Sequence, residues 1–123
     1  MSKRVLVIDD EEIIRKGLRL HLTKNGYVVE EAADGEEAIQ LLKKSSFDLL
    51  ICDIMMPKKD GWEVLKTVRS HPGTKDLPVI FLTAKNQDAD MFKGYEEGAT
   101  YYITKPFTKA QVLYGINMIF GKE

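Results

Sequence analysis

Residues 47–61 read FDLLICDIMMPKKDG. Four apolar residues, Leu49, Leu50, Ile51 and Cys52, end on a carboxylate, Asp53; a proline-interrupted polar loop follows and closes on Asp60-Gly61. An apolar run this short, bounded by turn formers, reads as a strand buried on both faces. A carboxylate at the last residue of such a strand is costly unless the strand meets solvent there and finds partners. The C-terminal edge of an open parallel sheet is such a place, and it is where these sheets gather their chemistry. Asp53 is therefore the first candidate functional residue. The rest of its site should lie at the ends of the other strands.

Strand and helix patterns alternate on both sides of this stretch. Toward the N-terminus, residues 4–8 form an apolar strand closed by Asp9-Asp10. Residues 11–25 read as a helix with Ile14, Leu18 and Leu22 on its core face. Ile13, Gly17 and Leu20 make a second stripe that one sheet face need not bury, and Asn25-Gly26 ends the helix. Residues 27–32 are a second strand whose Glu30 and Glu31 suggest a sheet edge. Asp34 and Glu37 open a helix to about residue 44 with Ala38, Leu41 and Leu42 inward.

Toward the C-terminus, Asp60 and Glu63 repeat the capping pattern. They open a helix to about residue 70, with Trp62 or Leu65 and Val68 inward and His71-Pro72-Gly73 as its stop. Residues 77–83 are the fourth strand, with Pro78 tolerable near its start. Residues 88–97 read as a short helix carrying Met91, Phe92 and Tyr95. Gly94 within it costs about 1 kcal/mol relative to alanine, which makes this the softest helix expected. Gly98 ends it, residues 99–103 form a fifth strand, and Lys105-Pro106 makes a turn. Thr108 with Gln111 caps a last helix with Val112, Leu113, Ile116, Ile119 and Phe120 inward.

The chain has 123 residues, 44% hydrophobic and 30% charged, with a net charge of -1. That balance suits one soluble domain spanning residues 1–123 and gives no general nucleic-acid or membrane surface. Cys52 is the only cysteine, so no intramolecular disulfide is possible. Its place in the strand, on the face opposite Asp53, makes it a core residue. No long apolar span, signal peptide or lipidation motif is present, and the cytoplasm is the expected location. His21 and His71 lack the neighbours of a metal ligand or phosphodonor.

About five strands alternating with about five helices imply a parallel sheet covered on both faces. The simplest doubly wound, flavodoxin-like solution has strand order 2-1-3-4-5, with its switch point between strands 1 and 3. Asp9, Asp10 and Asp53 then share one crevice, and Thr83 and Lys105 end strands on the same edge. Converging carboxylates repel, and a hard divalent cation relieves that repulsion. Oxygen-only ligands suit Mg²⁺, for which Mn²⁺ can substitute. A carboxylate so placed can attack phosphorus to give an acyl phosphate. Such transfer needs alignment and charge neutralisation, to which Lys105 adds a point cation and Thr83 a hydroxyl donor. No P-loop or dinucleotide fingerprint occurs, so no nucleotide is implied. Taken singly, Asp9-Asp10 is an ordinary helix cap, Thr83 a strand end and Lys105 a loop lysine. Asp60 reads as a cap and not a ligand.

The segments Val7-Ile8-Asp9-Asp10, Asp53-Ile54-Met55-Met56-Pro57 through Asp60-Gly61, Leu82-Thr83-Ala84 and Ile103-Thr104-Lys105-Pro106-Phe107, in this order, resemble the receiver domain of two-component response regulators over essentially the whole chain. The resemblance implies that Asp53 accepts a phosphoryl group from a phosphohistidine on a sensor histidine kinase or histidine phosphotransfer protein. It implies that Asp10, Asp53 and the Met55 backbone carbonyl bind Mg²⁺, with Asp9 acting through a water. Lys105 would pair with Asp53 and later with a phosphate oxygen. Thr83 and the Ala84 N–H would meet the phosphate, Tyr102 would turn inward, and Lys105-Pro106 would be cis. Met55 and Lys85 would flank the water path and slow hydrolysis.

By the same resemblance, Ile13, Gly17 and Leu20 with Pro106 and Phe107 would form a kinase-docking face; the bland alternative for the helix stripe is partial burial under the Pro106 loop. The fourth helix, fifth strand and fifth helix, with Tyr102, Tyr114 and Met118, would form the output face toward an unknown downstream protein, as a monomer or a phosphorylation-dependent dimer. Such a domain modifies itself and is not a turnover enzyme. Ending after its fifth helix, it would be a stand-alone regulator or a piece of a longer DNA-binding regulator or hybrid kinase. An aspartyl-intermediate phosphatase would want a second acid where Met55 stands, and a scaffold that binds without phosphorylation would not need the full acid, threonine and lysine set.

Overall fold

The computed structural model describes residues 2–56, 58–84 and 98–121. Its strands are β1 (Arg4–Ile8), β2 (Val28–Ala32), β3 (Leu49–Asp53), β4 (Val79–Thr83) and β5 (Tyr101–Thr104). Its helices among the described residues are α1 (Glu12–Lys24), α2 (Gly35–Lys44), α3 (Gly61–Ser70) and α4 (Lys109–Phe120). The helix expected at residues 88–97, with Met91, Phe92, Gly94 and Tyr95, lies outside the described residues, as do Pro57 and Lys85. The last expected helix is therefore α4.

All four strand pairings are parallel, and the order is β2-β1-β3-β4-β5, as the alternation implies. Register decides what meets at the sheet edge. Ile8 lies opposite Cys52, so Asp9 follows β1 where Asp53 closes β3. Asp53 lies opposite Leu82, and Thr83 opposite Thr104, the residue before Lys105. The expected switch point between β1 and β3 thus becomes a crevice with acids on one side and Thr83 and Lys105 on the other.

The sheet separates two cores. Leu6, Ile8, Leu50, Cys52 and Phe81 pack under α2 and α3 with Ala38, Val64, Leu65 and Val68. Val5, Val7, Leu49, Ile51, Ile80 and Leu82 pack under α1 and α4 with Leu18, Leu22, Val112 and Ile116. Leu49, Leu50 and Ile51 are fully buried. Each contributes roughly 1.5–3 kcal/mol, so β3 alone gains more than one poorly solvated carboxylate at its end costs. Cys52 is buried with Leu50 on the face away from the Ile51 side, as its position in the strand requires.

Several boundaries differ from the sequence reading for local reasons. β2 begins at Val28 because Tyr27 N–H donates to Leu22 O, 3.1 Å, closing the end of α1. β4 begins at Val79 because Leu77 N–H turns back to Thr74 O, 2.9 Å. On α2, Ile39 joins Ala38 in the buried set while Leu41 and Leu42 are only partly buried. On α3, Val64 is buried with Leu65 and Val68, and Trp62 stands half-buried, edge-on to Phe81 at 5.2 Å. The Asp60–Glu63 and Thr108–Gln111 pairs are full capping boxes. Asp34 accepts Glu37 N–H at 2.9 Å, but the Glu37 carboxylate turns to Ala33 N–H at 2.7 Å, so that box is half made.

Two glycines let the loop after Asp53 lie flat against the fold. A Cβ on Gly35 would come within 1.9 Å of Lys59 O, and one on Gly61 within 2.7 Å of Asp53 O. Gly61 N–H donates to Ile54 O at 2.8 Å, so the residue after Asp53 is tied to the start of α3. Among the described residues no helix is long and apolar enough to cross a membrane.

Candidate functional site

Asp9, Asp10, Glu11 and Asp53 each bring one carboxylate oxygen to within 4.8 Å of the others. Three come from the turn between β1 and α1 and one from the end of β3. Asp9 is fully buried and Asp53 is 6% exposed, whereas Asp10 and Glu11 face solvent. The Lys105 ammonium enters from the end of β5. Its Nζ lies 3.0 Å from Glu11 Oε1, 3.2 Å from Asp9 Oδ2 and 3.5 Å from Asp53 Oδ2. Lys105-Pro106 is a cis peptide, as the resemblance implies.

One ammonium does not balance these acids. The Asp53 carboxyl is pushed up to about 6, first by burial and next by the charge of Asp9, with Lys105 pulling the other way. Asp9 is also raised, chiefly by burial, against the Glu11 N–H bond and Lys105. Burial alone would lower the Lys105 ammonium. Its hydrogen bond to Glu11 and the charges of Asp53 and Asp9 outweigh that and raise it. Asp9 Oδ1 accepts Glu11 N–H at 2.8 Å, while its buried Oδ2 accepts no hydrogen bond among the described residues and is left to the lysine charge. An all-oxygen donor set with surplus negative charge and a buried, unsatisfied carboxylate oxygen fits a hard divalent cation.

The sequence reading placed Asp9, Asp10, Asp53 and Lys105 together, and they are together. It missed Glu11, assigned there to the start of the helix. The signal was its place directly after Asp9-Asp10 at the same strand end. Thr83 is buried at the end of β4. Ala84, just after it, is exposed. Met55 is 64% exposed on the loop beyond Asp53. Tyr102, expected to turn inward, is already inward here: it is 7% exposed and packs edge-on against Phe81 at 5.6 Å. Phe81 in turn meets Trp62, which links this tyrosine to α3.

Beside the acids runs a groove of about 560 Å³, lined by Ile13, Ile14, Gly17, Leu18 and His21 of α1 and by Ala84, Lys105, Pro106, Phe107 and Lys109. Four of the five expected docking residues line it; Leu20 is exposed but does not. Ile13 is 88% exposed, so the alternative of burial beneath the Pro106 loop is not realised.

The sequence of residues 5–117 matches the family model for the response regulator receiver domain. The transcriptional regulatory protein ResD of Bacillus subtilis is 39% identical over 119 residues, 97% of this chain and 48% of ResD. A putative response regulator from Chloroflexus aurantiacus superposes with a TM-score of 0.93 at 38% identity, covering 99% of this chain and all of that one. The chemotaxis response regulator CheY4 of Vibrio cholerae gives a TM-score of 0.92 at 34% identity, covering 98% of this chain and 100% of that one. With its acids, threonine and lysine on the strand ends just described, the chain belongs to the response regulator receiver family. It spans about half the length of the curated relatives it matches.

Proposed function

We propose that Asp53 accepts a phosphoryl group from a phosphohistidine, carried by a sensor histidine kinase or a histidine phosphotransfer protein. The observation that supports this is the placement of the Asp53 carboxylate. It lies at the mouth of the crevice, among Asp9, Asp10 and Glu11, with the Lys105 ammonium 3.5 Å away. With its carboxyl at about 6, Asp53 is mostly ionised at neutral pH and available as a nucleophile. An Asp53 oxygen forms the new P–O bond as the donor's P–N bond breaks. The released imidazole retains the bonding pair and takes a proton.

Asp10, Asp53 and the Met55 carbonyl are the candidate holders of Mg²⁺, with Asp9 acting through water and Glu11 adjoining; Mn²⁺ can substitute. Bound there, such a cation neutralises part of the charge on the acids and on the phosphoryl oxygens. Lys105 is already shared among three carboxylates, so it can follow the negative charge as it passes from Asp53 to the phosphoryl group. The Thr83 hydroxyl and the Ala84 N–H are the donors proposed to meet that group. Tyr102, already packed on Phe81, would hold the inward arrangement. The groove bearing Ile13, Gly17, Pro106 and Phe107 would receive the donor protein beside the acids. The β5–α4 surface, where Tyr114 and Met118 are 60% and 61% exposed, would meet the downstream protein.

The domain would modify itself and lose the group slowly, without turning over an external substrate. Met55, apolar and largely exposed where a phosphatase of this general design would need an acid, supports that reading. Incubation with acetyl phosphate and Mg²⁺, followed by intact mass, tests the proposal. A gain of one phosphoryl group that is absent in Asp53→Asn is expected. No gain, or a gain that survives in Asp53→Asn, overturns it.

A further inference from the structure

We propose that Arg15 is a positioning residue for the acid turn, holding the Asp9 backbone in register through a charge-assisted bridge to Glu31 on the edge strand. The Arg15 guanidinium bonds in two directions at once. Its Nε donates to Glu31 Oε1 at 2.9 Å, and its Nη1 donates to the Asp9 carbonyl at 2.8 Å. Both side chains are sheltered, at 14% and 9% exposure. From the other side, Asp9 N–H donates to Ala32 O at 3.1 Å. The Asp9 residue is thus tied to β2 twice, directly through its amide and through Glu31 and Arg15 at its carbonyl.

Such a tie is needed because of what Asp9 carries. Its carboxylate lies among like charges that push the turn apart, and a peptide unit free to rotate would let Asp9 and Asp10 swing out of the crevice. A planar guanidinium spans two acceptors in a fixed geometry, which a lysine ammonium on a flexible stem does not reproduce. Glu31 also accepts from Lys16 at 3.2 Å and Arg19 at 2.8 Å. Burial alone would raise its carboxyl, but the three cations outweigh that and lower it. Arg19 therefore shares the Glu31 interaction without Arg15's bond to Asp9, and it is 54% exposed. The two arginines separate a structural contribution from a positioning one.

The inference rests on the divalent-cation reading of the acid cluster. Its test compares Arg15→Ala, Arg15→Lys and Arg19→Ala with the unaltered chain. Mg²⁺ affinity is read by titrating the amide resonances of Asp9 and Asp10. Hydrogen exchange of the Glu11 amide, which is bonded to Asp9, is read without metal. Both Arg15 variants are expected to bind Mg²⁺ about tenfold more weakly and to exchange Glu11 faster, since loss of an outer partner of a ligand typically costs 10–100-fold. Arg19→Ala is expected to match the unaltered chain in both. Equal losses in Arg15→Ala and Arg19→Ala, or full affinity and protection in Arg15→Lys, overturn the assignment. If Arg15→Ala does not fold, the Arg15→Lys and Arg19→Ala comparison decides alone. An unaltered chain that binds no Mg²⁺ would sink the cation reading, and the metal-free exchange would still decide the role of Arg15.

Discussion

Replacing Asp53 by asparagine should make the metal-free protein more stable at neutral pH, although it destroys the proposed phosphoacceptor. The folded chain holds this carboxyl at about 6 against an ordinary 3.8, with burial the main cause and the charge of Asp9 the next. One pH unit corresponds to about 1.4 kcal/mol, so ionising Asp53 in the fold costs about 3 kcal/mol. The side chain is 9% exposed, so little of this is lost to solvent screening. The sign follows from proton binding. Below about pH 4 the group is protonated both folded and unfolded and contributes nothing; between about pH 4 and 6 the folded state keeps a proton the unfolded state has released, so stability falls as pH rises; above that the full cost is present.

Asparagine removes the titration. The variant should exceed the unaltered chain by about 2–3 kcal/mol at neutral pH and match it near pH 4. Urea unfolding in a chelating buffer across this range is the assay. Mg²⁺ should close the gap, since a ligand at a hundred times its Kd adds about 2.7 kcal/mol to the form that binds it. A variant less stable at neutral pH, or a difference that does not change with pH, would refute the electrostatic account of the crevice.

Lys105→Ala should slow phosphorylation of Asp53 by small phosphodonors about a hundredfold, the usual scale for removing one charge-stabilising donor; quench-flow with phosphoramidate measures it, and an unchanged rate contradicts the role given to this cation. Gly17→Met should fold normally, because a Cβ there meets nothing within 4 Å. It should obstruct the groove, cutting transfer from a phosphohistidine protein at least about tenfold while leaving the acetyl phosphate rate intact; equal effects on both donors would remove the docking assignment. Met55→Asn combined with Lys85→Ala should shorten the phosphoryl lifetime, followed by loss of the phosphorylated mass; an unchanged lifetime ends the hydrolysis-tuning idea.

The fold was legible because β3 and β4 are continuous apolar runs that only a doubly covered sheet buries, and because capping signals mark α3 and α4. The acids were legible because each directly ends or follows a strand. What escaped depends on side-chain direction, which periodicity does not carry. Glu11 looked like a helix residue, yet its carboxylate turns back to Lys105. Glu31 marked a sheet edge, as it does, but the pattern did not show that three cations from α1 enclose it. Leu20 falls on the helical stripe of Ile13 and Gly17, but the groove follows Gly17, Leu18 and His21 along α1 and leaves Leu20 exposed outside it.

The central claim is that Asp53, and no neighbouring acid, carries the phosphoryl group. Borohydride reduces an acyl phosphate to the corresponding alcohol, which marks the modified residue permanently. After treatment with acetyl phosphate and Mg²⁺, reduction, proteolysis and tandem mass spectrometry, Asp53 should be converted to homoserine, with Asp9, Asp10 and Glu11 unaltered. Reduction at one of those three acids, or at none, would contradict it.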